Sequence, residues 1–117
     1  MTGYKQKEIE HVKHTHISKM HFMVINLFFR GMHAHSDLEI MLILEGTLHF
    51  CAEKDFDAIP GDVVLINSGQ AHSCYTSSGN CIALVIQIDL SFCEPYYPNI
   101  HNIRFQESHL TPPFTGI

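Results

Sequence analysis

The chain has 117 residues, the size of one ordinary folding domain, which excludes a multidomain enzyme. Hydrophobic residues make up 45% of the sequence and Asp, Glu, Lys and Arg only 16%, against about 25% charged residues in an average soluble domain. The chain is therefore either part of a larger protein or buries one face against a partner. Seven Lys and Arg stand against twelve Asp and Glu, and the net charge of -5 excludes nucleic-acid binding by this chain alone.

Residues 1–19 are predicted to be a polar N-terminal segment. Residues 1–10 contain no apolar stretch of the kind that marks a signal peptide, and no apolar run approaches the ~20 residues that a membrane-spanning helix needs. The four cysteines show no CxxC spacing, so neither disulfides nor a cysteine metal site are expected. We therefore expect a cytoplasmic protein with reduced thiols.

Short apolar segments rich in β-branched and aromatic residues predict a series of β-strands. In chain order these segments are 20–29, 38–44, 47–51, 63–66, 72–76 and 81–89. The Arg-Gly pair at 30–31 is predicted to end the first strand, and the Glu-Gly pair at 45–46 to join the second and third as a hairpin. Residues 53–57 are predicted as a charged turn, and residues 77–80 as the tip of a hairpin between the last two strands.

The close spacing of strands and turns predicts an all-β protein. No segment carries a sustained helical period of 3.6 residues, and no pattern of parallel strands with helical crossovers is present. An antiparallel sandwich or barrel is therefore predicted over residues 20–106. Beyond residue 91 the sequence becomes loop-like, with one short strand candidate at 103–106, and residues 107–117 are predicted to start a linker.

Three histidines and one glutamate have the spacing of a metal site. Side chains at even separations in an extended segment lie on one face of the sheet, so His33, His35 and Glu39 can point to one side. A turn that places His72 opposite them completes a set of three imidazoles and one carboxylate, which suits a first-row divalent metal. The alternative is a metal-free pocket in which the same side chains form hydrogen bonds to a ligand.

Two further residues are candidates for the lining of this pocket. Met41 has the same parity as Glu39 along its predicted strand, so its side chain can face the interior. His49 alternates with Leu48 and Phe50 in the next strand and is either a pocket residue or an exposed histidine.

The intervals around these residues resemble the two sequence motifs of the cupin superfamily. The first reads HxHxxxE from His33 to Glu39, followed by six residues and Gly46, and the second runs from Gly61 through NSGQAH to His72. The sequence departs from the motifs at three turn or edge positions, where Leu27, Asn67 and Thr76 stand in place of Gly, Pro and Asn. The resemblance implies a cupin double-stranded β-helix, a small antiparallel jelly-roll barrel, with the three histidines and the glutamate at the metal-ligand positions.

Within that superfamily, two stretches resemble the N-terminal effector-binding and dimerisation domain of AraC-type transcription regulators. They are HAHSDLEIMLILEGTLHF and IPGDVVLINSGQAHS, and the resemblance extends over residues 20–105. It implies a small-molecule effector, such as a sugar, bound in the barrel directly or through one divalent metal ion (Zn, Ni, Mn or Fe). It also implies DNA binding only through a C-terminal half that follows the linker, and no contact with a membrane.

Apolar residues on both faces of two predicted strands favour a homodimer. Residues 38–44 and 82–88 carry apolar side chains at both parities, whereas a strand with one face in solvent alternates apolar and polar residues. Two-fold dimers are the commonest way to cover a second apolar face.

The alternative function is a free-standing metal cupin enzyme, a dioxygenase or an isomerase, in which the same four residues hold the metal. One barrel hosts many functions, so the fold does not choose between the two. Ser36 and Ser73 adjoin histidines but lack a nucleophile elbow or an orienting acid, so the sequence does not predict a serine nucleophile.

Overall fold

The structure is a computed structural model that describes residues 12–14, 20–77 and 79–114. These residues form ten β-strands and two short 3-10 turns, with no α-helix among them. The strands are β1 Val12–His14, β2 Met20–Leu27, β3 Phe29–His33, β4 Leu38–Glu45, β5 Leu48–Cys51, β6 Asp55–Ala58, β7 Val63–Ile66, β8 His72–Tyr75, β9 Cys81–Ile88 and β10 His109–Leu110. The 3-10 turns are Leu90–Phe92 and Ile100–Asn102. No helix in this part of the chain has the length and apolar character required to cross a membrane.

The strands form two antiparallel sheets that enclose one core. The larger sheet has the strand order β1-β2-β9-β4-β7-β10, and the smaller has the order β3-β8-β5-β6. Alternate residues of the central strands point into the core, as Met23, Ile25 and Leu27 do from β2, and Leu48 and Phe50 from β5. The predicted all-β jelly-roll architecture is confirmed.

Both predicted hairpins are wrong. β4 and β5 lie in different sheets, as do β8 and β9, so each short connection crosses from one sheet to the other. The two connections meet at one end of the barrel, where Gly46, at φ 81°, packs against the backbone of Asn80. A glycine-containing two-residue turn is the usual sequence signature of a hairpin. A register shift in β4 between Ile43 and Glu45 bends the end of the strand, and no sequence pattern marks this shift.

Two turn predictions also need correction. The Arg-Gly pair at 30–31 does not end a strand, because the chain changes sheet at Phe28 and β3 continues through both residues to His33. Residues 53–57 contain most of β6, whose apolar residues face the core while its two aspartates are exposed. The charged composition of that segment therefore marks the outer face of a strand rather than a turn.

The two ends of the described chain add strands to the larger sheet. Residues 103–106 do not form the predicted strand, because the backbone groups of Phe105 pair with the side chain of Asn67 instead. A strand follows only at β10, which pairs with β7. The sheet thus includes three residues of the segment 1–19 and two of the segment 107–117. Residues 1–11, 15–19, 78 and 115–117 lie outside the described part of the chain.

Candidate metal centre

Three histidine side chains meet at the end of the barrel opposite Gly46. His33 ends β3, His35 lies in the loop before β4, and His72 begins β8. His33 and His72 are directly paired across the two strands, and their ring centroids are 4.2 Å apart. One nitrogen from each of the three rings lies within 4.8 Å of the other two. The structure thus brings together three of the four residues that the sequence pattern marks as metal ligands.

The backbone fixes the tautomer of each imidazole. Nδ1 lies 2.7 Å from the Gly31 carbonyl in His33, 3.1 Å from the Asp37 carbonyl in His35 and 2.8 Å from the Gln70 carbonyl in His72. A carbonyl oxygen only accepts hydrogen bonds, so Nδ1 carries the proton and donates in all three neutral rings. Each Nε2 therefore presents a lone pair.

These three Nε2 atoms are buried and have no hydrogen-bond partner in the structure. Buried polar atoms without a partner are rare, and each needs an explanation. A metal ion accepts imidazole lone pairs, and metal-bound histidines usually donate their other ring N–H to a carbonyl or carboxylate, as these three do. The donor set therefore fits a first-row divalent ion.

Glu39 adjoins this cluster from the neighbouring sheet. Its side chain faces the interior from β4 and is only 2% exposed. One carboxylate oxygen lies 3.3 Å from Nε2 of His35, at ion-pair distance without hydrogen-bond geometry, and accepts a hydrogen bond of 2.8 Å from the Gln87 side chain. Gln87 faces Glu39 directly across β4 and β9. Sequence reasoning missed Gln87, although it is the one polar residue at an inward position of the apolar segment 81–89.

Burial and the neighbouring carboxylate act in opposite directions on the three histidines. Burial lowers the pKa of His33 and of His72, which keeps these two rings neutral. The Glu39 carboxylate raises the pKa of His35 above its usual value of 6.5. Burial alone would raise the pKa of Glu39, but contacts with His35 and Gln87 outweigh it and lower the pKa. The centre therefore combines a carboxylate with two neutral imidazoles and one imidazole that protonates more readily.

The two candidate lining residues lie on opposite sides of the barrel wall. Met41 is 3% exposed and lies on the inward face of β4, two residues from Glu39. His49 is not brought to the cluster, because Leu48 and Phe50 fill the core from β5 and the alternation directs His49 outward. Its neighbours are Asp57, Ser77 and Tyr75 on the outer face of the smaller sheet.

Comparisons with solved structures show the same fold. A cupin-2 domain protein from Shewanella frigidimarina is 19% identical, with a TM-score of 0.56 over 63% of this chain and 74% of that chain. A cupin superfamily protein from Desulfitobacterium hafniense is 15% identical, with a TM-score of 0.58 over 63% and 71%. A variant of oxalate decarboxylase from Bacillus subtilis is 22% identical, with a TM-score of 0.58 over 68% of this chain and 24% of that chain. At these identities the likeness concerns the fold alone.

The sequence also matches a family model. The model of the AraC-like ligand binding domain aligns with residues 21–97, about two thirds of the chain, and this range includes every residue of the candidate metal centre. No protein with a curated description matches the chain significantly. The chain therefore belongs to the family of AraC-like ligand-binding domains and has the fold of the cupin proteins compared above.

Proposed function

We propose that this domain senses a small effector molecule through a divalent metal ion held by His33, His35, Glu39 and His72. The observation that carries the proposal is the convergence of three buried Nε2 atoms that have no hydrogen-bond partner. Zn, Ni, Mn and Fe all accept this combination of imidazole and carboxylate ligands. Such an ion would supply a Lewis-acidic centre, which suits an oxygen-rich effector such as a sugar.

Elemental analysis of protein purified without chelator or affinity tag tests the metal. One equivalent of a first-row metal per chain is expected. A protein that stays metal-free after incubation with Zn, Ni, Mn and Fe salts would instead have a bare ligand pocket. The rival function, a metal cupin enzyme, rests on the fold alone. Binding of a ligand without its chemical conversion would distinguish a sensor from such an enzyme.

Metal affinity is expected to fall as the pH is lowered, because protons compete for the imidazoles. The pKa of His35 is raised, whereas those of His33 and His72 are lowered, so His35 is the first of the three rings to gain a proton as the pH falls. We expect about tenfold weaker binding for each pH unit over which His35 alone is protonated, and a steeper loss where His33 and His72 also protonate. Competition titration against a chromophoric chelator measures this slope. An affinity that does not change between pH 7 and about 5.5 would exclude histidine ligands.

A chain of hydrogen bonds links the metal centre to the C-terminal segment. Nδ1–H of His72 donates to the backbone carbonyl of Gln70, whose side-chain oxygen accepts from the backbone N–H of Asn67 at 3.0 Å. The Asn67 side chain then donates to the Phe105 carbonyl at 2.9 Å and accepts from the Phe105 N–H at 2.7 Å. Asn67 and Gln70 are 6% and 8% exposed. We propose that this link carries the state of the centre to the segment that leaves the barrel.

Replacing Asn67 by alanine is expected to release the segment around Phe105. The change removes both side-chain hydrogen bonds to Phe105, and each unpaired group costs roughly 1 kcal/mol or more. Amide hydrogen exchange in residues 105–110 is expected to become at least about tenfold faster and to lose its response to metal. Arg104→Ala is the control, because it removes only an exposed contact to the Ser68 carbonyl. Equal amide exchange rates in the wild type and in Asn67→Ala would contradict the proposed link between the metal centre and the C-terminal segment.

The outer face of the larger sheet supports self-association. Two cross-strand rows of apolar residues cover this face, and they are Val24, Leu84, Leu42 and Val63, followed by Phe22, Ile86, Ile40 and Leu65. Val24 is 46% exposed, and the other seven are partly exposed. We propose that a second copy of the domain covers these rows, which places two sensors in one regulator.

Leu42→Glu, at the centre of that face, is expected to yield a monomer. An unpaired charge buried at an interface costs roughly 3 kcal/mol or more, which raises the dissociation constant at least about 100-fold. Sedimentation velocity at micromolar concentrations measures the change, with Ser73→Glu on the outer face of the other sheet as the control. A wild type that stays monomeric throughout the titration contradicts the proposed dimer.

The regulatory output is proposed to lie elsewhere in a longer cytoplasmic regulator. The net charge of -5 and the scattered basic residues leave this domain without a surface for DNA phosphates. DNA binding is therefore assigned to a C-terminal half. A mobility-shift titration with residues 1–117 is expected to show no sequence-specific retention at physiological salt, and such retention would reverse this division of roles.

A further inference from the structure

A second polar cluster lies on the outer face of the smaller sheet, on the other side of the barrel wall from the core. The strand register places Asp57, His49 and Tyr75 side by side across β6, β5 and β8, and Ser77 lies two residues beyond the end of β8. Nδ1 of His49 contacts a carboxylate oxygen of Asp57, and Nε2 lies 2.9 Å from the Ser77 hydroxyl oxygen. The Tyr75 ring packs against the imidazole at a centroid distance of 4.7 Å.

The direction of each hydrogen bond follows from the groups involved. A carboxylate only accepts, so Nδ1 of His49 carries the proton and donates to Asp57. Nε2 of the neutral ring then holds a lone pair, and the Ser77 hydroxyl donates to it. A hydroxyl bonded to a base that a carboxylate orients is the arrangement that activates a serine nucleophile, and it is recognised by geometry rather than by chain order.

We propose that Ser77 is an activated nucleophile that accepts acyl groups from small esters, with His49 as general base and Asp57 as a positioning residue. Ser77 Oγ forms a bond to the ester carbonyl carbon while its proton passes to Nε2 of His49. The ester C–O bond breaks, and the same proton goes to the departing alkoxide. Water then attacks the acyl-serine with His49 as the base, which releases the carboxylic acid and restores the hydroxyl.

The surroundings of the cluster define the class of substrate. An open depression of about 280 Å³ lies beside His49 and Asp57, with Tyr75, Asp55 and Cys51 among its lining residues. Its size suits a short acyl group. The His49 and Asp57 side chains are 24% and 63% exposed, so a substrate can reach them from solvent. Solvent access also limits the rate enhancement, because the charges that develop stay hydrated.

Two probes test the nucleophile, both used with a chelator present so that metal-bound water makes no contribution. The first is a fluorophosphonate, whose adduct is expected on Ser77 by peptide mass spectrometry. The second is p-nitrophenyl acetate, whose hydrolysis is expected to fall about 100-fold in both Ser77→Ala and His49→Gln, the lower end of the general-base range. Asp57→Asn is expected to change the pH profile of labelling, because it alters the tautomer of His49.

Ser73→Ala is the matched control, because the Ser73 side chain lies on the same face of β8 as Tyr75 but outside the cluster. It is expected to keep the adduct and the full rate. Circular dichroism of each variant checks that the barrel is intact, which is expected because the substituted side chains lie on its outer face. A fluorophosphonate adduct on Tyr75 or elsewhere, or hydrolysis that Ser77→Ala leaves unchanged, would overturn the proposal.

Discussion

Replacing His72 by glutamine is expected to weaken the binding of one divalent metal ion by more than about 100-fold, since losing a supporting contact alone costs 10- to 100-fold. His72 is 2% exposed, and its Nε2 has no other partner, so no neighbouring group replaces the lost ligand. Metal at about 100 times its dissociation constant stabilises the wild type by about 2.7 kcal/mol. In a domain of this size that raises the melting temperature by about 10 °C, and the variant is expected to lose this increment.

The control for this experiment is another histidine outside the centre. His101 is exposed and pairs only with Glu94 at the surface, so His101→Ala should keep both the affinity and the thermal shift. Calorimetric titration and thermal unfolding with and without metal measure the two quantities. Equal metal-induced shifts in the wild type and in His72→Gln would place the metal elsewhere or show that none binds specifically.

The second large effect is expected at the end of the barrel opposite the metal centre. Gly46 has a φ of 81°, and a Cβ at this position would overlap the backbone carbonyl of Asn80. Backbone atoms cannot move aside as the end of a flexible side chain can, so one of the two sheet-to-sheet connections must shift. Gly46→Ala is therefore expected to lower the free energy of unfolding by about 3 kcal/mol or more.

Gly69 separates the steric contribution from the conformational one. Its φ of 75° is almost the same, but a Cβ added there meets no atom within 4 Å. Gly69→Ala should therefore lower the free energy of unfolding by only about 1–2 kcal/mol, the cost of the left-handed conformation. Urea denaturation of both variants measures the difference. Equal losses of unfolding free energy would show that the overlap with the Asn80 carbonyl adds no cost beyond that of the left-handed conformation.

Six of the strands could be predicted from the sequence, but β3, β6 and the two terminal strands could not, and neither could the assignment of strands to sheets. β7 was predicted with the bounds Val63–Ile66 that the structure shows, because a short apolar run between turn residues is a local signal. Whether the turn at Gly46 makes a hairpin or crosses between sheets depends on its contact with Asn80, more than thirty residues away. Local turn chemistry is the same in both cases, so the sequence pattern favoured the commoner one.

The candidate site, like the fold, could be predicted only in part from the sequence. The even separation of His33 and His35 predicted that they share a face, and the resemblance to the cupin motifs implied that His72 joins them, as it does in the structure. The outward position of His49 depends on which parity of β5 faces the core, and the buried Leu48 and Phe50 decide this. In the sequence, Asn67 stands out only as a departure from a motif. Its role in holding Phe105 depends on a segment far along the chain and on side-chain geometry that no local pattern encodes.

X-ray absorption spectroscopy of the metal-loaded protein tests the central claim most directly, because it counts and identifies the ligand atoms of the bound ion. With Zn as the ion, the account predicts one site per chain with three imidazole nitrogens and one carboxylate oxygen at about 2.0–2.2 Å. The multiple-scattering signal should fall by one imidazole in His72→Gln and remain unchanged in His101→Ala. A spectrum with sulfur ligands, or one without imidazole scattering, would contradict the metal centre and with it the proposed mode of sensing.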